Sequence, residues 1–415
     1  MTQRILMTPF HYPPMGGSSG VQRSLFFSSC LEQYGWQALV LTAHSRVHPI
    51  TSNEGLKDIP PNAVVKRTFA IDVARHLSVG GRFPRFLALP DRWSSWVLSG
   101  VWSGWWMIKK YKPAVIWTTY PIASSHLIGY LLHKLTQTPW IADFRDPMTE
   151  EDYPSNPTVF KWFRWLEGKV MQHASYVVVT TPGVKRVYGE RYGSECEKKI
   201  KIIQNGFDEN KFASIEASLN STSSQDVPNH APIRLVHSGV IYPQERDPEP
   251  LFQAVSELKK ERVLSAQTLS LELRSAGHDD LYNDMLTRYD IEDIVKLLPS
   301  IPHEENIADM LRADALLLLQ GSTCNEQIPA KAYEYIRSGK PVIALTDEKG
   351  DTGQLLKGLG VGIIAALENK HQIKEKLAQI ETICREFRAL ELEKIQSFSR
   401  QSETKELADL LATIV

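Results

Sequence analysis

The sequence predicts an α/β protein with two Rossmann-like domains, each a doubly wound parallel β-sheet covered by helices on both faces. Two observations favour this fold class. Short, continuously apolar runs alternate with segments of helical period along most of the 415 residues, which is typical of parallel strands buried on both faces. The alternation stops in a Ser- and Asn-rich stretch at residues 213–231 and then starts again, so we expect two separate sheets.

The apolar runs place the predicted strands in order along the chain. In the first half they are Arg4–Phe10, Gln37–Thr42, Ala114–Thr119, Trp140–Phe144, Tyr176–Thr180 and Ile200–Gln204, with predicted helices at Val21–Tyr34, Ala123–Leu135 and Val159–His173. In the second half they are Arg234–Ser238, Leu269–Ser275, Ile294–Leu298, Ala315–Gln320, Pro341–Thr346 and Gly362–Ala365, with a helix at Pro248–Lys260. The stretch from Gln372 to Val415 has mostly helical period.

This pattern predicts where the domains begin and end. We expect an N-terminal domain over residues 1–212, a linker over 213–231, a second domain over 232–385, and a helical segment over 386–415 that could pack back on the first domain. A chain of this length has room for two cores, because single cores stop growing at roughly 250–300 residues. Two such domains facing a cleft would offer helix N-termini from both sides, which suits a phosphate-bearing ligand.

Composition and charge exclude several classes of protein. With 42% hydrophobic and 23% charged residues, the chain is neither disordered, collagen-like nor a polytopic membrane protein. The net charge of −1 argues against a nucleic-acid partner. Residues 1–212 carry +9 and the remainder −10, so the first half could meet an anionic acceptor or lipid surface, with chance drift as the alternative.

The cysteines and the N-terminus bear on location and metal binding. The four cysteines form no C-x-x-C pair or metal-spaced cluster, which predicts a reducing, cytoplasmic compartment and no metal site. Residues 1–10 have the pattern of a first strand, not of a signal peptide.

Two segments of the first half carry candidate ligand-binding residues. Gly16 and Gly17 lie in the loop between the first predicted strand and helix, where glycine lets the backbone approach an anion at a helix N-terminus. The segment Asp143–Pro147 (DFRDP) closes a predicted strand. Arg145 could clamp a phosphate or a hydroxyl-rich substrate, and Asp143 or Asp146 could hold Arg145 in place or act on an acceptor hydroxyl. A tight turn and a structural ion pair are the respective alternatives.

The strongest cluster is Glu326–Tyr335 (EQIPAKAYEY) in the second half. Because proline suits the first turn of a helix, Pro329 predicts that Glu326 lies in the loop before the helix and that Glu334 lies inside it. Lys331 falls near the helix N-terminus, where a cation is unfavourable unless an anion is bound there. The segment therefore predicts a phosphate site, with an ordinary solvated helix as the alternative.

Glu326 and Glu334 form an E-x7-E pattern that is followed by Ser-Gly-Lys-Pro at residues 338–341. This resembles the sugar-donor motif of the retaining GT-B glycosyltransferases, the group-4-like family. Other segments match that family in the same order, and together they cover nearly the whole chain: Gly16-Gly17, Asp143–Pro147, Asn205–Asp208, His237–Gly239 and Arg246–Pro248. The resemblance implies the GT-B fold.

The resemblance also implies an activity and the residues that carry it. A sugar would move from a nucleoside-diphosphate sugar to a hydroxyl of a glycan or lipid-linked acceptor, with retention, in cell-surface polysaccharide biosynthesis, and no cofactor or metal would be required. Glu334 would bind the nucleotide ribose and Glu326 the donor sugar, while Arg246 and Lys331 would neutralise the diphosphate. We add Arg145 and Asp146 to the expected catalytic residues because of the chemistry that their own segment predicts. The donor site would be completed by Gly16, Gly17, Gly239, Ile328 and Pro329.

One position departs from the family pattern, and two other functions stay open. Many relatives have Arg directly after the glycine matched by Gly239, where this chain has Val240, so that cation is either missing or supplied by Arg246 or Arg145. A nucleotide-sugar epimerase of the same fold is one alternative. A non-catalytic GT-B-like partner subunit is the other.

The segment 82–112 is rich in tryptophan and in basic residues. Its tryptophans are Trp93, Trp96, Trp102, Trp105 and Trp106, flanked by Arg82, Arg85, Arg92, Lys109, Lys110 and Lys112. Such a mixture fits a segment lying on an anionic bilayer, here the inner face of the cell membrane. Packing of the tryptophans in the core is the alternative, and the apolar run 95–108 is too short to span a bilayer.

Overall fold

In a computed structural model the chain forms two α/β units, and the structure describes residues 2–16, 20–80, 82–151, 153–222 and 231–415. The first unit comprises Met1–Asn205 together with Arg400–Val415, and the second comprises Gly206–Ser399. Each unit contains one parallel sheet with flanking helices. The predicted fold class of two Rossmann-like domains is therefore confirmed.

The first unit is built on a seven-stranded sheet of order β3-β2-β1-β4-β5-β6-β7. Its strands are β1 Gln3–Thr8, β2 Trp36–Ala43, β3 Val64–Thr68, β4 Val115–Thr119, β5 Trp140–Arg145, β6 Tyr176–Val179 and β7 Ile200–Ile202. Its helices are α1 Gly20–Cys30, α2 Val73–His76, α3 Ser95–Tyr111, α4 Ala123–Thr136, α5 Pro157–His173, α6 Pro182–Tyr192 and α7 Ser194–Lys198. The strand order reverses between β1 and β4, which is where ligands bind in open α/β sheets.

The second unit has a six-stranded sheet of order β10-β9-β8-β11-β12-β13. Its strands are β8 Ile233–Ser238, β9 Leu269–Arg274, β10 Val295–Leu298, β11 Ala315–Leu319, β12 Val342–Leu345 and β13 Gly362–Ala365. Its helices are α8 Glu209–Thr222, α9 Glu249–Lys260, α10 Asp279–Tyr289, α11 His303–Arg312, α12 Ala330–Arg337, α13 Asp351–Gly358, α14 Lys370–Ala378, α15 Ile380–Glu386 and α16 Leu392–Ile395. The last helix, α17 Arg400–Ala412, belongs to the first unit.

The apolar runs became strands because the two faces of each sheet are both buried. In β1, Leu6 packs in the core under one face, whereas its neighbour Ile5 packs in the core under the other. This alternation follows from the two-residue period of a strand. Leu407 and Leu411 of α17 complete the second of these cores. Among the described helices, none combines the length and the apolar character needed to cross a membrane.

The linker prediction is wrong over residues 213–222, because α8 occupies them; residues 223–230 lie outside the described part. The Ser- and Asn-rich sequence is a poor helix former, but tertiary contacts override it. Phe212 is buried in a core of the second unit. The Arg337 guanidinium of α12 donates to Glu209 and Glu216 of α8 over 2.6–2.9 Å.

A buried cluster around Arg23 joins three parts of the first unit. The guanidinium donates to both carboxylate oxygens of Asp143 at 3.0 and 3.1 Å, and to the carbonyls of Ile203 and Gln204 at 3.0 and 2.8 Å. It also lies 3.5 Å from Oε2 of Glu403 in α17. Because every one of these groups is buried or on the backbone, Arg23 fixes both β5 and α17 to the end of the sheet.

The buried carboxyl of Glu403 predicts a pH dependence of stability. Burial raises its pKa from 4.5 to about 7, although Arg23 and Arg400 oppose the shift. The folded protein therefore keeps a proton that the unfolded chain releases, so stability from this group is lost as the pH rises from about 5 to about 8. Over this pH range we expect the free energy of unfolding of Glu403→Gln to fall by roughly 2–3 kcal/mol less than that of the wild type.

Urea unfolding at several pH values measures this difference. The matched control is Glu190→Gln, since Glu190 is exposed on α6 of the same unit, and it should follow the wild-type profile. Parallel profiles of wild type and Glu403→Gln would contradict the prediction.

Candidate functional site

The second unit gathers polar side chains at the carboxyl ends of β8 and β11, where its strand order reverses. Gly239 follows β8, and the segment 242–247 leads from there towards α9. Residues 320–329 lead from β11 into α12. At Gly321, a Cβ atom would lie 2.0 Å from the carbonyl oxygen of Glu245, so only glycine lets these two segments touch.

Gly239 leaves room for a lysine ammonium group. Its φ of +114° is one that other residues rarely adopt, and a Cβ atom there would lie 2.8 Å from Nζ of Lys331. Lys331 is the second residue of α12, so its ammonium group reaches back to the loop after β8. The structure thus brings together two of the predicted site residues, which are 92 positions apart.

Lys331 and Arg246 are two cations close to each other in a largely desolvated place. Burial, together with the charge of Arg246, lowers the pKa of Lys331 from 10.5 to about 7, and Glu334 opposes this only in part. Nε of Arg246 is buried and has no hydrogen-bond partner among the described residues. An anion bound here would relieve the repulsion between the cations and satisfy that N–H group.

Glu334 lies one turn further along α12, and its side chain is mostly buried. Its Oε1 is 3.6 Å from Nε2 of His303, the first residue of α11. Tyr335 accepts the backbone N–H of Ser238 at 3.0 Å, and the Ser238 hydroxyl donates to Oδ1 of Asn306 at 2.6 Å. These contacts fix the end of β8 and the start of α11 relative to α12.

His237 of β8 is fully buried at this edge of the sheet, and its imidazole is neutral. Burial and the charge of Lys331 lower its pKa well below 6.5. Its two ring nitrogens lie 2.9 and 3.0 Å from the carbonyl oxygens of Leu317 and Gly239. The neutral imidazole donates its single N–H to one of these two carbonyls, so His237 links β8 to β11 or to the Gly239 loop without adding a third positive charge.

The loop before α12 holds the other candidate donor residues. The helix begins at Ala330, with Pro329 as the preceding cap residue, so Glu326 does lie in the loop, as predicted. The loop is held by the Gln320 amide, which donates to the carbonyls of Cys324 and Gln327 at 2.6 and 2.8 Å. Ile328 is buried in a core of the second unit, so its side chain supports the loop.

In the first unit, Arg145 lies at the carboxyl end of β5 in a left-handed backbone conformation, with φ of 63°. It is buried, and its Nε has no partner among the described residues. Nη1 lies 2.8 Å from where a Cβ atom would stand on Gly20, the first residue of α1. Because a left-handed backbone is costly for arginine and strained residues cluster at functional sites, Arg145 is a candidate for binding a ligand.

Asp146 and Asp143 differ in what they do. Burial raises the pKa of Asp146, although Arg145 opposes the shift. Asp143, in contrast, is fully buried and accepts from Arg23 and from the Thr119 hydroxyl. The expectation that Asp143 could hold Arg145 is therefore wrong, because the guanidinium that Asp143 accepts from is that of Arg23.

Gly16 packs against residues 50–52, where its N–H donates to the Ile50 carbonyl at 3.1 Å and a Cβ atom would lie 3.2 Å from Ser52. Gly17 lies outside the described residues. His11, which the sequence did not suggest, has a pKa lowered to about 4 by burial and by Arg145. From the sequence, the one sign that His11 could belong to a site is that it directly follows an apolar strand.

The candidate residues thus fall into two sets. Gly239, Arg246, Lys331 and Glu334 come together in the second unit, with Glu326 and Pro329 in the loop leading to them. Arg145 and Asp146 are neighbours in the first unit. Sequence reasoning missed His303 and Asn306 of α11, which contact Glu334 and Ser238, and it gave Tyr335 no role.

Two Rossmann-like units, each with one parallel sheet and flanking helices, are the architecture of the GT-B fold. Over 99% of both chains the structure resembles sucrose-phosphate synthase from Thermosynechococcus elongatus, with a TM-score of 0.69 and 17% identity. It also resembles UDP-GlcNAc 2-epimerase from Methanocaldococcus jannaschii, with a TM-score of 0.59 and 12% identity over 99% of this chain and 100% of that one.

Sequence comparison gives a match over part of the chain. Residues 27–206, most of the first unit, match the model of the glycosyl transferase 4-like domain. A D-inositol 3-phosphate glycosyltransferase of Kineococcus radiotolerans is 26% identical over 202 residues, which are 47% of this chain and 45% of that protein. The aligned part thus spans about half the length of this curated relative. The predicted resemblance to group-4-like GT-B proteins is confirmed.

Proposed function

We propose that the protein is a glycosyltransferase that moves a sugar from a nucleoside-diphosphate sugar to a hydroxyl of a glycan or lipid-linked acceptor. The observation that carries this is the pair of Lys331 and Arg246 beside Gly239, where one cation has a strongly lowered pKa and the other a buried N–H without a described partner. A diphosphate matches both features, because it is doubly charged and accepts several hydrogen bonds.

In this proposal the two cations stabilise the charge that develops on the leaving nucleoside diphosphate. Fixed positive groups in a desolvated site do so without reorganisation, so we propose that no metal is required. Arg246 supplies the second charge where relatives have Arg at the position of Val240, which is partly exposed here. Glu334 accepts hydrogen bonds from the ribose hydroxyls, and Glu326, Ile328 and Pro329 form the loop against the donor.

We propose transfer with retention. The bond between the anomeric carbon and the diphosphate oxygen breaks, the acceptor oxygen forms the new bond on the same face, and the acceptor proton passes to the departing phosphate. Arg145 and Asp146 are proposed to bind the acceptor, whose hydroxyl-rich surface suits a charged pair. We propose that glycine at positions 16 and 17 allows close approach to the ligands. Cell-surface polysaccharide synthesis in the cytoplasm is the setting we propose.

The test measures donor binding in two steps, a screen for the preferred donor and then isothermal titration calorimetry with the nucleoside diphosphate of that donor. UDP-, GDP-, ADP- and dTDP-sugars are screened by thermal shift, since a bound ligand stabilises by mass action. We expect Glu334→Ala to weaken binding of the selected nucleoside diphosphate about 10- to 100-fold, the effect of a lost hydrogen bond to a charged group.

Glu305→Ala is the matched control, because Glu305 is exposed on α11, and it should bind as the wild type does. Unchanged affinity in Glu334→Ala would reject the ribose role. Absence of binding to all four donors would favour a non-catalytic partner subunit.

The similarity to an epimerase structure makes epimerisation the second candidate. An epimerase changes the donor sugar with no acceptor present, whereas a transferase needs the acceptor hydroxyl. Incubation of the selected donor without acceptor, followed by chromatography of the sugar, separates the two. Appearance of an epimer would replace our proposal.

A further inference from the structure

The solvent-facing side of α3 carries large apolar side chains where a surface helix normally carries polar ones. Leu98, Trp102 and Trp106 are spaced four residues apart, which places them on one face of the helix, and they are 80%, 65% and 53% exposed. Leu135 of the neighbouring helix α4 is 62% exposed. Contiguous exposed apolar surface of this kind marks a site of interaction.

Two grooves give this surface its shape. One, of about 370 Å³, is lined by apolar residues of α3 and α4, including Leu98, Trp102, Leu131 and Leu135. The other, of about 340 Å³, runs past Trp102 and Trp106 to Lys66 of β3 and Lys110. Apolar and basic groups are thus adjacent, not in separate patches.

The charge around the grooves is of one sign. Neither α3 nor α4 contains Asp or Glu, and the described residues that line the grooves include no acid. Lys109 and Lys110 end α3, with Nζ atoms 5.8 Å from the Trp105 ring and 4.9 Å from the Tyr111 ring. Both lysines are exposed, so positive charge and aromatic rings lie side by side on this surface, as in side chains at a membrane interface.

We infer that α3 and the adjoining edge of α4 form a docking surface for an anionic lipid bilayer. Tryptophan prefers the boundary between headgroups and acyl chains, and each lysine near an anionic leaflet contributes about 1 kcal/mol of attraction. A second copy of this chain fits less well, because a two-fold contact would set the lysines against their own copies. The surface is defined by exposure and charge alone and does not depend on the proposed activity.

The structure also shows which tryptophans of the 82–112 segment are exposed and can belong to the docking surface. Trp96 is fully buried, and Trp93 and Trp105 pack against the core of the first unit. The expectation that all the tryptophans of this segment could contact a membrane is therefore replaced by a surface centred on Trp102 and Trp106. Lys66 and Leu135 join it from outside the segment.

The test is flotation with vesicles of phosphatidylcholine alone and of phosphatidylcholine with about 30% phosphatidylglycerol, a composition chosen to give a strongly negative surface. We expect the full chain to float with the anionic vesicles only, and less as salt is raised. The variant Trp102→Ser/Trp106→Ser should bind roughly ten-fold or more weakly. Lys109→Gln/Lys110→Gln should lose a similar amount.

Controls distinguish the surface from general stickiness and from misfolding. Val263→Ser/Leu281→Ser removes two exposed apolar residues of the second unit, and Lys260→Gln/Lys349→Gln removes two exposed lysines there; both should bind vesicles as the wild type does. Unchanged thermal unfolding of the tryptophan variant shows that it is folded. The inference is overturned if the wild type does not float, if the tryptophan variant floats equally well, or if sedimentation shows instead a dimer that this variant abolishes.

Discussion

Lys331→Ala should lower turnover by roughly two orders of magnitude or more, the range seen when a charge contact to the transition state is lost. The ammonium group lies against Gly239 and close enough to Arg246 for the two charges to interact strongly. If the leaving diphosphate binds there, the variant leaves Arg246 as the one remaining cation of the pair. Initial rates with saturating donor measure the effect.

Lys349→Ala is the matched control, because Lys349 is exposed in the same unit, and its rate should equal that of the wild type. The pH profile supplies a second readout. Since the pKa of Lys331 is about 7 without ligand and an anion raises it, binding takes up a proton. Wild-type affinity should therefore fall from about pH 7 to about pH 9, more steeply than in Lys331→Ala. A wild-type rate, or equal slopes, would remove Lys331 from the site.

Arg23→Ala should lower the free energy of unfolding of the first unit by about 3–5 kcal/mol, because removing one partner of a buried ion pair leaves the other charge buried and uncompensated. Asp143 loses its two-pronged partner, and the carbonyls of Ile203 and Gln204 lose their donors. Urea unfolding measures the loss, and hydrogen exchange in α17 should accelerate, since Glu403 is released as well.

Two further variants keep this prediction open to test if Arg23→Ala does not accumulate. Arg23→Lys retains the charge but not the paired contacts, so an intermediate loss is expected. Arg186→Ala replaces an exposed arginine of α6 and should change stability by less than about 0.5 kcal/mol. A loss below about 1 kcal/mol in Arg23→Ala would contradict the role of the cluster.

Continuous burial made most of the fold predictable. β4 (VIWTT) is buried at every position, so its sequence has no competing interpretation. β3 (VVKRT) was missed because Lys66 and Arg67 interrupt the apolar run at the edge of the sheet. α8 was missed for the opposite reason: its local sequence disfavours a helix, and Arg337, more than a hundred positions away, stabilises it.

The candidate site was predictable only where a single segment contains a residue that is locally unfavourable. Lys331 at a helix start is locally unfavourable, and this conflict is visible in the sequence of α12 alone. The role of Asp143 could not be predicted in this way, because its partner Arg23 comes from another helix. His303 and Asn306 were likewise invisible, since an ordinary amphipathic helix such as α11 gives no sign of which residues meet Glu334 and Ser238.

The return of the last helix to the first unit has a consequence for protein engineering. Because α17 covers a core that also contains residues of β1, β2 and β4, the second unit is in effect inserted into the first between Asn205 and Arg400. Chimaeras that exchange the second unit between relatives therefore need two crossover points, one on each side of the insertion. A single crossover after Asn205 would pair the sheet of one parent with the closing helix of the other.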